Sequence, residues 1–198
     1  MRLRRLTRAE LPVASAVLAR FLIGKTLVRT VPGGRMLGRI VETEAYLPHD
    51  AACHAFRGMT PRNRVLFMER GHAYVYFIYG SHFMLNVCGE EAGIGGGVLL
   101  RALEPLQGLD LMRKQRGQVP ARDLARGPGR LAQAFKVDFR LEGVDLCAAG
   151  ALWLGTPLEP VGHIGRSVRI GISQDAHRLL RFYERGNTCV SGPLALRE

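Results

Sequence analysis

Two carboxylates and an aromatic ring alternate along one short segment, residues 41–46. Glu42, Glu44 and Tyr46 stand two positions apart. Because successive strand side chains point to opposite faces, a strand here would place all three on one face. A carboxylate beside a ring suits a pocket that stacks a flat ligand on the aromatic and activates water with the acid. Acids on the outer face of a half-buried strand are also common, so this segment alone leaves both interpretations open.

A second group of aromatic residues precedes a glycine turn. Tyr74, Tyr76 and Tyr79 lie close together, and Gly80 follows directly. A β-rich aromatic core explains part of this set. Tyr79 differs because it abuts the turn, where a side chain tends to project into solvent. An exposed aromatic at a hairpin tip can enter a base stack as a wedge and occupy the space of an extruded base.

Three further polar residues could complete such a pocket. His54 lies in the polar segment 47–64, and long loops in a compact domain are often functional. Asn86 belongs to the strand after the glycine turn, and Arg101 ends the apolar run 98–100. An arginine in such a strand needs a partner, either a carboxylate or a phosphate.

A metal centre is an alternative use of the acids and histidines. Glu42, Glu44, His49, Asp50 and His54 could form a cluster, but their spacing fits no regular ligand pattern. No pair of the four cysteines has C-x-x-C spacing, which argues against zinc. The sequence therefore predicts no metal site. Scattered single cysteines suit a reducing cytosol, and we expect a cytoplasmic protein without a targeting signal.

Net charge is the strongest signal in the composition. The chain of 198 residues carries a formal charge of +11, almost all of it from arginine. Such a field favours polyanions, either nucleic acid or an anionic membrane surface. Apolar runs are too short for a membrane span, whereas arginine makes planar, bidentate phosphate contacts. The candidates for contacts to a nucleic-acid backbone are Arg57, Arg62, Arg64 and Arg130.

The elements that must position these residues are mostly paired strands. Strands are predicted at residues 25–31, 36–46, 73–79, 83–88, 98–101, 151–154, 167–172 and 180–183. Helices are predicted at residues 13–22, 105–116 and 131–135. Hairpins outnumber β–α–β units, which favours an α+β fold. We expect a single mixed domain over residues 1–198, with a curved, largely antiparallel sheet flanked by helices and a protruding β-hairpin.

At these residues the chain resembles the alkyladenine (3-methyladenine, methylpurine) DNA glycosylase family. The matching segments are IVETEAY, ACH, TPRNR, YVYFIYG, VLLRALEP and RFYERG, at residues 40–46, 52–54, 60–64, 74–80, 98–105 and 181–186. They follow one another in order over nearly the whole chain, and together they are highly specific. The resemblance implies an enzyme that hydrolyses the N-glycosidic bond of damaged purines in double-stranded DNA, without a cofactor and as a monomer.

The resemblance also implies roles for individual residues. Glu44 would be the general base that activates water, and Arg101 with backbone near Val190 would help to place that water. Tyr79 would be the minor-groove wedge. The residues implied around the flipped base are Tyr46 on one face, His54 and Tyr76 on the other, and Asn86 where the amino group of guanine is disfavoured.

Two departures from the family pattern bear on the choice of lesion. The loop between Tyr46 and His54 is one residue shorter than in the mammalian pattern, and the turn between Asn86 and Arg101 is longer and richer in glycine. A protein that binds bent or damaged DNA without chemistry is the alternative. It would use the same wedge and charge, but a carboxylate in its pocket would only repel phosphate.

The absence of a ligand pattern predicts that catalysis is independent of metal. Base release from lesion-containing duplex should therefore persist at millimolar EDTA, at a rate equal to that in chelator-free buffer. Loss of release that added zinc or magnesium restores would instead support a metal-dependent enzyme built on the acids and histidines.

Overall fold

The structure is a computed structural model that describes residues 2–197. Its strands are β1 (Thr26–Val31), β2 (Gly34–Tyr46), β3 (Ala73–Ile78), β4 (His82–Cys88), β5 (Gly97–Gln107), β6 (Leu152–Gly155), β7 (Ile164–Ser167) and β8 (Arg181–Glu184). Its α-helices are α1 (Ser15–Leu22), α2 (Leu109–Arg116) and α3 (Pro128–Ala134). Within this range, every helix is too short or too polar to span a lipid bilayer.

All of these strands join one antiparallel sheet. The main path runs β3-β4-β5-β2-β1-β6, and β8 pairs with both β2 and β7. The 13 residues of β2 are enough for two neighbours along one edge, because its first half pairs with β1 and its second half with β8. The other edge of β2 pairs with β5 from Leu37 to Tyr46. Residues 42–44 therefore lie inside the sheet, with a strand on each side.

The helices cover the apolar side of this sheet. α1 packs against β2 and β5, and α3 packs against β4 and β5. Leu18 and Leu22 stand one helical turn apart on α1 and are both fully buried. The buried carboxylate of Glu90 accepts hydrogen bonds from the Ser15 backbone N–H and hydroxyl, at 2.9 and 2.7 Å. This capping contact starts α1 at Ser15, two residues later than predicted, and the α+β class expected from the sequence is confirmed.

The predicted helix that starts at Pro105 is wrong at its first residues. β5 continues through Pro105 to Gln107, and α2 begins only at Leu109, after Gly108 in the left-handed region at φ 78°. A proline in a strand removes one donor from the ladder and is tolerated at irregular positions. Pro105 pairs with Gly38 at such a register shift. The proline therefore marks a bulge in a strand rather than the first turn of a helix.

The predicted strand at 167–172 is also wrong in its position. β7 is the segment Ile164–Ser167, and the chain leaves the sheet after Ser167. The backbone N–H of Ile170 donates instead to the carboxylate of Glu44 at 2.7 Å. After Ser167 the backbone of this segment therefore bonds to a side chain of β2 rather than to a neighbouring strand.

Candidate active site

A β-bulge aims Arg101 at both strand carboxylates. In the β2–β5 ladder Glu42 pairs with Ala102 and Thr43 with Leu100, so the register skips Arg101. Bulges of this kind re-aim side chains beside active sites. Arg101 Nε donates to Glu42 Oε1 at 2.8 Å, and its Nη1 donates to Glu44 Oε2 at 3.2 Å. The partner that the sequence required for Arg101 is therefore a pair of carboxylates.

Glu42 is enclosed by donors from three parts of the chain. Its Oε1 accepts from Arg101 Nε and from Arg181 Nε of β8, the latter at 2.7 Å. Its Oε2 accepts from the Ser191 backbone N–H at 2.6 Å. Glu42 and Arg181 are both fully buried. The alternation of acids along β2 thus places Glu42 inside the protein and not on a solvated face.

Glu44 is held by three donors, and each belongs to a residue that lines a cavity. Its Oε1 accepts from Ile170 N–H, and its Oε2 accepts from Arg101 and, at 3.0 Å, from the Tyr46 hydroxyl. The residues Tyr46, Arg101 and Ile170 all line the cavity, and Glu44 lies behind them, fully buried. An ionised carboxylate has about four acceptor positions. One position on Oε1 therefore remains for a further donor such as water.

The environment pushes the pKa values of the two glutamates apart. Burial raises the pKa of Glu42, but Arg101 and Arg181 outweigh burial and hold that pKa below its usual value. Burial raises the pKa of Glu44 and outweighs Arg101, and the charge of Glu42 adds to the increase. Carboxylate pairs with pKa values separated in this way are typical of acid–base sites. Of the two acids, Glu42 is therefore the more readily ionised and Glu44 the more readily protonated.

The cavity beside Glu44 has a volume of about 300 Å³. That volume lies at the lower end of ligand pockets and suits one nucleobase. The predicted site residues that line it are Tyr46, His54, Tyr76, Tyr79, Asn86 and Arg101. Residues that are far apart in sequence, on β2, β3, β4, β5 and the 47–63 loop, are therefore brought to one cavity.

One wall of the cavity is a cluster of edge-packed rings. His54 and Tyr76 have centroids 4.6 Å apart at 68°, and His54 Nδ1 lies 3.0 Å from the hydroxyl of buried Tyr74. Asn63 holds the loop in place by donating from Nδ2 to the His54 carbonyl at 2.7 Å. Burial and the nearby Arg62 guanidinium lower the pKa of His54. The wall is therefore an uncharged aromatic surface at neutral pH.

The opposite ring, Tyr46, is supported from behind by a buried ion pair. The guanidinium carbon of Arg169 lies 4.7 Å from the centroid of the Tyr46 ring. Arg169 donates to both carboxylate oxygens of Asp50 and, at 3.0 Å, to the Ala45 carbonyl. The side chains of Arg169 and Asp50 are both fully buried. One face of the Tyr46 ring is thus occupied by a cation, which leaves the other face for a ligand.

Tyr79 stands on a strained turn at the end of the β3–β4 hairpin. Tyr79 and Gly80 both have positive φ, at 56° and 63°, and Ser81 N–H donates to the Ile78 carbonyl at 3.3 Å. This is a type I′ turn, in which a bulky residue is uncommon. Tyr79 is 76% exposed although it also lines the mouth of the cavity. Strain of this kind concentrates at functional positions, so the turn presents the ring outward.

The four arginines chosen from the sequence for backbone contacts are all free. Arg57, Arg62, Arg64 and Arg130 are exposed, and none of them forms a hydrogen bond or ion pair with another residue of the range 2–197. Many other arginines are occupied, as in the pairs that Arg39 and Arg169 form with buried acids. These four guanidinium groups, three in the loop 47–64 and one at the start of α3, are therefore available for phosphate.

Sequence reasoning missed four residues of the site, namely Asp50 as the partner of an arginine, Arg169, Ile170 and Arg181. Of these four, only Arg169 and Arg181 left a signal in the sequence. Each is an isolated charge in an apolar run, as Arg101 is. The Val190 carbonyl accepts from Arg126 Nε at 3.0 Å, and the neighbouring Ser191 N–H donates to Glu42. The expected role of the backbone near Val190 in placing water stays a prediction. Ile170 supplies the backbone group at Glu44.

Among residues 2–197, no group of three or more His, Cys, Asp or Glu side chains is arranged to hold a metal ion.

Comparison with known proteins shows the family of this chain. The profile of the methylpurine-DNA glycosylase family matches residues 10–188. A protein of Mesorhizobium japonicum is 61% identical over 98% of this chain and 93% of its own length. Relatives from Paraburkholderia phytofirmans and Methanocella arvoryzae are 50% and 46% identical, over 96% and 87% of this chain and 90% and 88% of their own lengths. All three carry the provisional name 3-methyladenine DNA glycosylase.

The fold and the profile together define the class of protein, a DNA glycosylase. Within that class, the chain belongs to the methylpurine-DNA glycosylase family. The resemblance recognised in the sequence motifs is thereby confirmed. The roles of single residues stay predictions.

The ion pair behind Tyr46 predicts a large loss of stability on Asp50→Asn. The variant leaves the Arg169 charge buried without its counter-ion, which should lower the free energy of unfolding by about 3–5 kcal/mol. Denaturant melts at neutral pH measure this difference. The control is Asp110→Asn, which removes an exposed partner of Arg113 on α2 and should change stability little.

Acidification should reduce the difference in the free energy of unfolding between wild type and Asp50→Asn. Burial opposes ionisation of Asp50, but Arg169 outweighs it and lowers the pKa of that carboxyl. The contribution of the pair is therefore present above the pKa of an unfolded aspartate and is lost as pH falls through the lowered value. A difference that stays constant down to strongly acidic pH would contradict this account of the pair.

Proposed function

We propose that this chain is a monomeric, monofunctional glycosylase that flips damaged purines out of double-stranded DNA and hydrolyses the N-glycosidic bond with water activated by Glu44. The lesions that it accepts are 3-methyladenine, 7-methylguanine, hypoxanthine and ethenoadenine, and the product is an abasic site. The observation that carries the proposal is the position of Glu44. Its carboxylate lies directly behind a base-sized cavity, and three lining residues leave it one free acceptor position.

Extrusion of the base is supported by the hairpin and the free arginines. A base inside a duplex is out of reach of Glu44, and flipping costs a few kcal/mol. The exposed Tyr79 ring can fill the gap in the stack, since it stands at the mouth of the cavity. The exposed arginines Arg57, Arg62 and Arg64 belong to the same loop as His54 and can hold the distorted backbone by its phosphates.

Stacking explains why the cavity suits a purine. Tyr46 offers one ring face, because Arg169 occupies the other. His54 and Tyr76 provide the facing wall. Base–aromatic stacking contributes about 1–3 kcal/mol per base and offsets part of the extrusion cost.

Hydrolysis follows from the carboxylate and its donors. The free position on Glu44 Oε1 accepts a proton from water as the water oxygen bonds to C1′ of the sugar. The C1′–N bond breaks, and its electron pair leaves with the base. A purine methylated at N3 or N7 is cationic and departs as a neutral molecule. The sugar gains positive charge in the transition state, and ionised Glu44 stabilises that charge as well.

Strand cleavage is not expected from this cavity. A lyase step needs an amine nucleophile that forms a Schiff base with the sugar. The lysines of the chain are Lys25, Lys114 and Lys136, and none of them lines the cavity. Burial raises the pKa of Cys53, which does line it, to about 11, so its thiol stays protonated and a poor nucleophile.

Asn86 is the candidate filter against normal guanine. It is buried in the cavity wall, and its Nδ2 donates to the Tyr74 carbonyl at 3.4 Å. Adenine-derived lesions and hypoxanthine lack the 2-amino group of guanine, so a side chain fixed here can exclude guanine by its bulk. A contact of this kind discriminates by roughly 1–3 kcal/mol.

A non-catalytic binder of bent or damaged DNA is the competing function. It would need the wedge and the free arginines but not an ionisable acid at the cavity. Burying Glu44 as a charge is expensive, and its carboxylate opposes phosphate binding. A carboxylate that is kept buried at such a cost argues for chemistry.

Replacement of Glu44 tests the reaction. Glu44→Gln keeps the shape and removes the base, so single-turnover release of 3-methyladenine, 7-methylguanine, hypoxanthine or ethenoadenine should fall by roughly 10²–10⁴-fold or more. Binding to lesion DNA should persist, because the stacking wall and arginines are intact. Glu91→Gln on the exposed turn after β4 is the control and should release base at the wild-type rate. Excision by Glu44→Gln near the wild-type rate would assign the acid a structural role only.

Replacement of Tyr79 tests the wedge. Tyr79→Ser should weaken flipping by a few kcal/mol, with the larger loss on well-paired lesions, since mismatched bases need less help to leave the stack. Tyr79→Phe keeps the ring and should stay close to wild type. Single-turnover rates on matched and mismatched duplexes give the comparison, and equal losses on the two substrates would contradict a wedge.

A further inference from the structure

Glu42 is fully buried and accepts three hydrogen bonds, yet it does not line the cavity. Its three bonds reach β5, β8 and the segment after β8, through Arg101, Arg181 and Ser191. Buried ion pairs of this kind contribute little net stability compared with apolar residues. The cluster of Glu42, Glu44, Arg101 and Arg181 is neutral as a whole, so the extra pair of charges needs another explanation.

The geometry of Arg101 supplies that explanation. A guanidinium fits a carboxylate best through two parallel N–H groups. Glu42 takes the Nε donor of Arg101 at 2.8 Å, so Glu44 receives only Nη1, at the longer distance of 3.2 Å. The third nitrogen, Nη2, lies 3.4 Å from the Ser191 hydroxyl. With Nε on Glu42 and Nη2 directed to Ser191, Arg101 meets Glu44 through one N–H only.

We propose that Glu42 is a positioning residue for hydrolysis, because it draws Arg101 and Arg181 to itself and so keeps Glu44 singly bonded to arginine, with one acceptor position left for water. The inference rests on the proposed function of Glu44. Arg181 shares Oε1 of Glu42 with Arg101 and fixes that carboxylate from the opposite strand, since its other donors bind the Ser167 hydroxyl and the Ser191 carbonyl at 2.8 and 2.9 Å.

The charges around Glu44 give this role a measurable sign. The titratable or charged groups that face it are Glu42 and Tyr46 from β2, Tyr76 from β3, Arg101 from β5, Arg181 from β8 and Arg169 behind the Tyr46 ring. Among them Glu42 is the like charge, which raises the pKa of Glu44. Glu42→Gln removes that charge and weakens the hold on Arg101 Nε, because a neutral amide oxygen accepts less strongly than a carboxylate. Both changes should lower the pKa of Glu44 and make it a weaker base.

The test combines two readouts on Glu42→Gln. Carbon-13 NMR of labelled glutamate carboxyls, assigned with Glu44→Gln, should show Glu44 titrating at lower pH than in wild type. Single-turnover release of 3-methyladenine should fall about 100-fold at its plateau, the usual effect of a misplaced group, while its acid limb moves to lower pH. A purely structural role would lower the active fraction of the protein. It would move neither the midpoint of the Glu44 titration nor the midpoint of the acid limb of the rate profile. The matched control is Glu184→Gln, which breaks the buried pair with Arg39 away from the cavity and should leave both midpoints unchanged.

The outcomes separate the inference from the proposed function. Folded Glu42→Gln with the wild-type plateau and both midpoints unmoved overturns the inference and leaves the proposed function standing. A shift of the Glu44 titration in protein whose wild type releases no base supports the arrangement and contradicts the proposed function. If Glu42→Gln does not fold, Glu42→Asp keeps the charge and withdraws the carboxylate from Arg101. The plateau rate of base release by Glu42→Asp should fall, with little change in the midpoint of the Glu44 titration. A plateau rate equal to that of wild type would also overturn the inference.

Discussion

Two carboxylates and two guanidinium groups share one dry space inside the sheet, and their mutual neutralisation constrains everything around them. Isolated charges could not be buried there, because desolvation costs several kcal/mol for each ion. Glu42 and Arg181 are fully buried, and Glu44 is enclosed behind the cavity. The central place of β2, the bulge at Arg101 and the pairing of β8 on the far edge are the means by which this backbone brings four charged groups within hydrogen-bonding distance.

This arrangement gives different surroundings to two acids that the sequence cannot tell apart. Glu42 and Glu44 have the same chemistry and face the same side of one strand. Their difference arises from their partners: Glu42 meets two guanidinium groups and a backbone amide, while Glu44 meets one guanidinium, a hydroxyl and an amide. The three residues that donate to Glu44 line the cavity, so the cavity lies beside the acid that meets only one guanidinium.

Local patterns predicted the parts of the site that depend on local geometry. The alternation of Glu44 and Tyr46 gave their common face, and the glycine after Tyr79 gave the hairpin tip. The same kind of reasoning failed at Pro105, because a register shift in the sheet tolerates the proline that a helix start would also favour. Arg169, Ile170 and Arg181 were missed for another reason. They reach the β2 end of the site from more than 100 residues away, and the pairing of distant segments leaves no periodic trace.

The sequence separation of Glu42 and Arg181 also has a consequence for the timing of assembly. These residues are 139 positions apart, and at 5–20 residues per second their synthesis is separated by roughly 7–28 s. A nascent chain that has emerged only as far as β5 holds Glu42, Glu44 and Arg101 but lacks the strand that completes charge compensation. The stacking wall of the cavity, made by β3, β4 and the 47–63 loop, can be in place earlier. Translation thus delivers the aromatic wall before the charged cluster, and the four charged groups can meet only after β8 has been made.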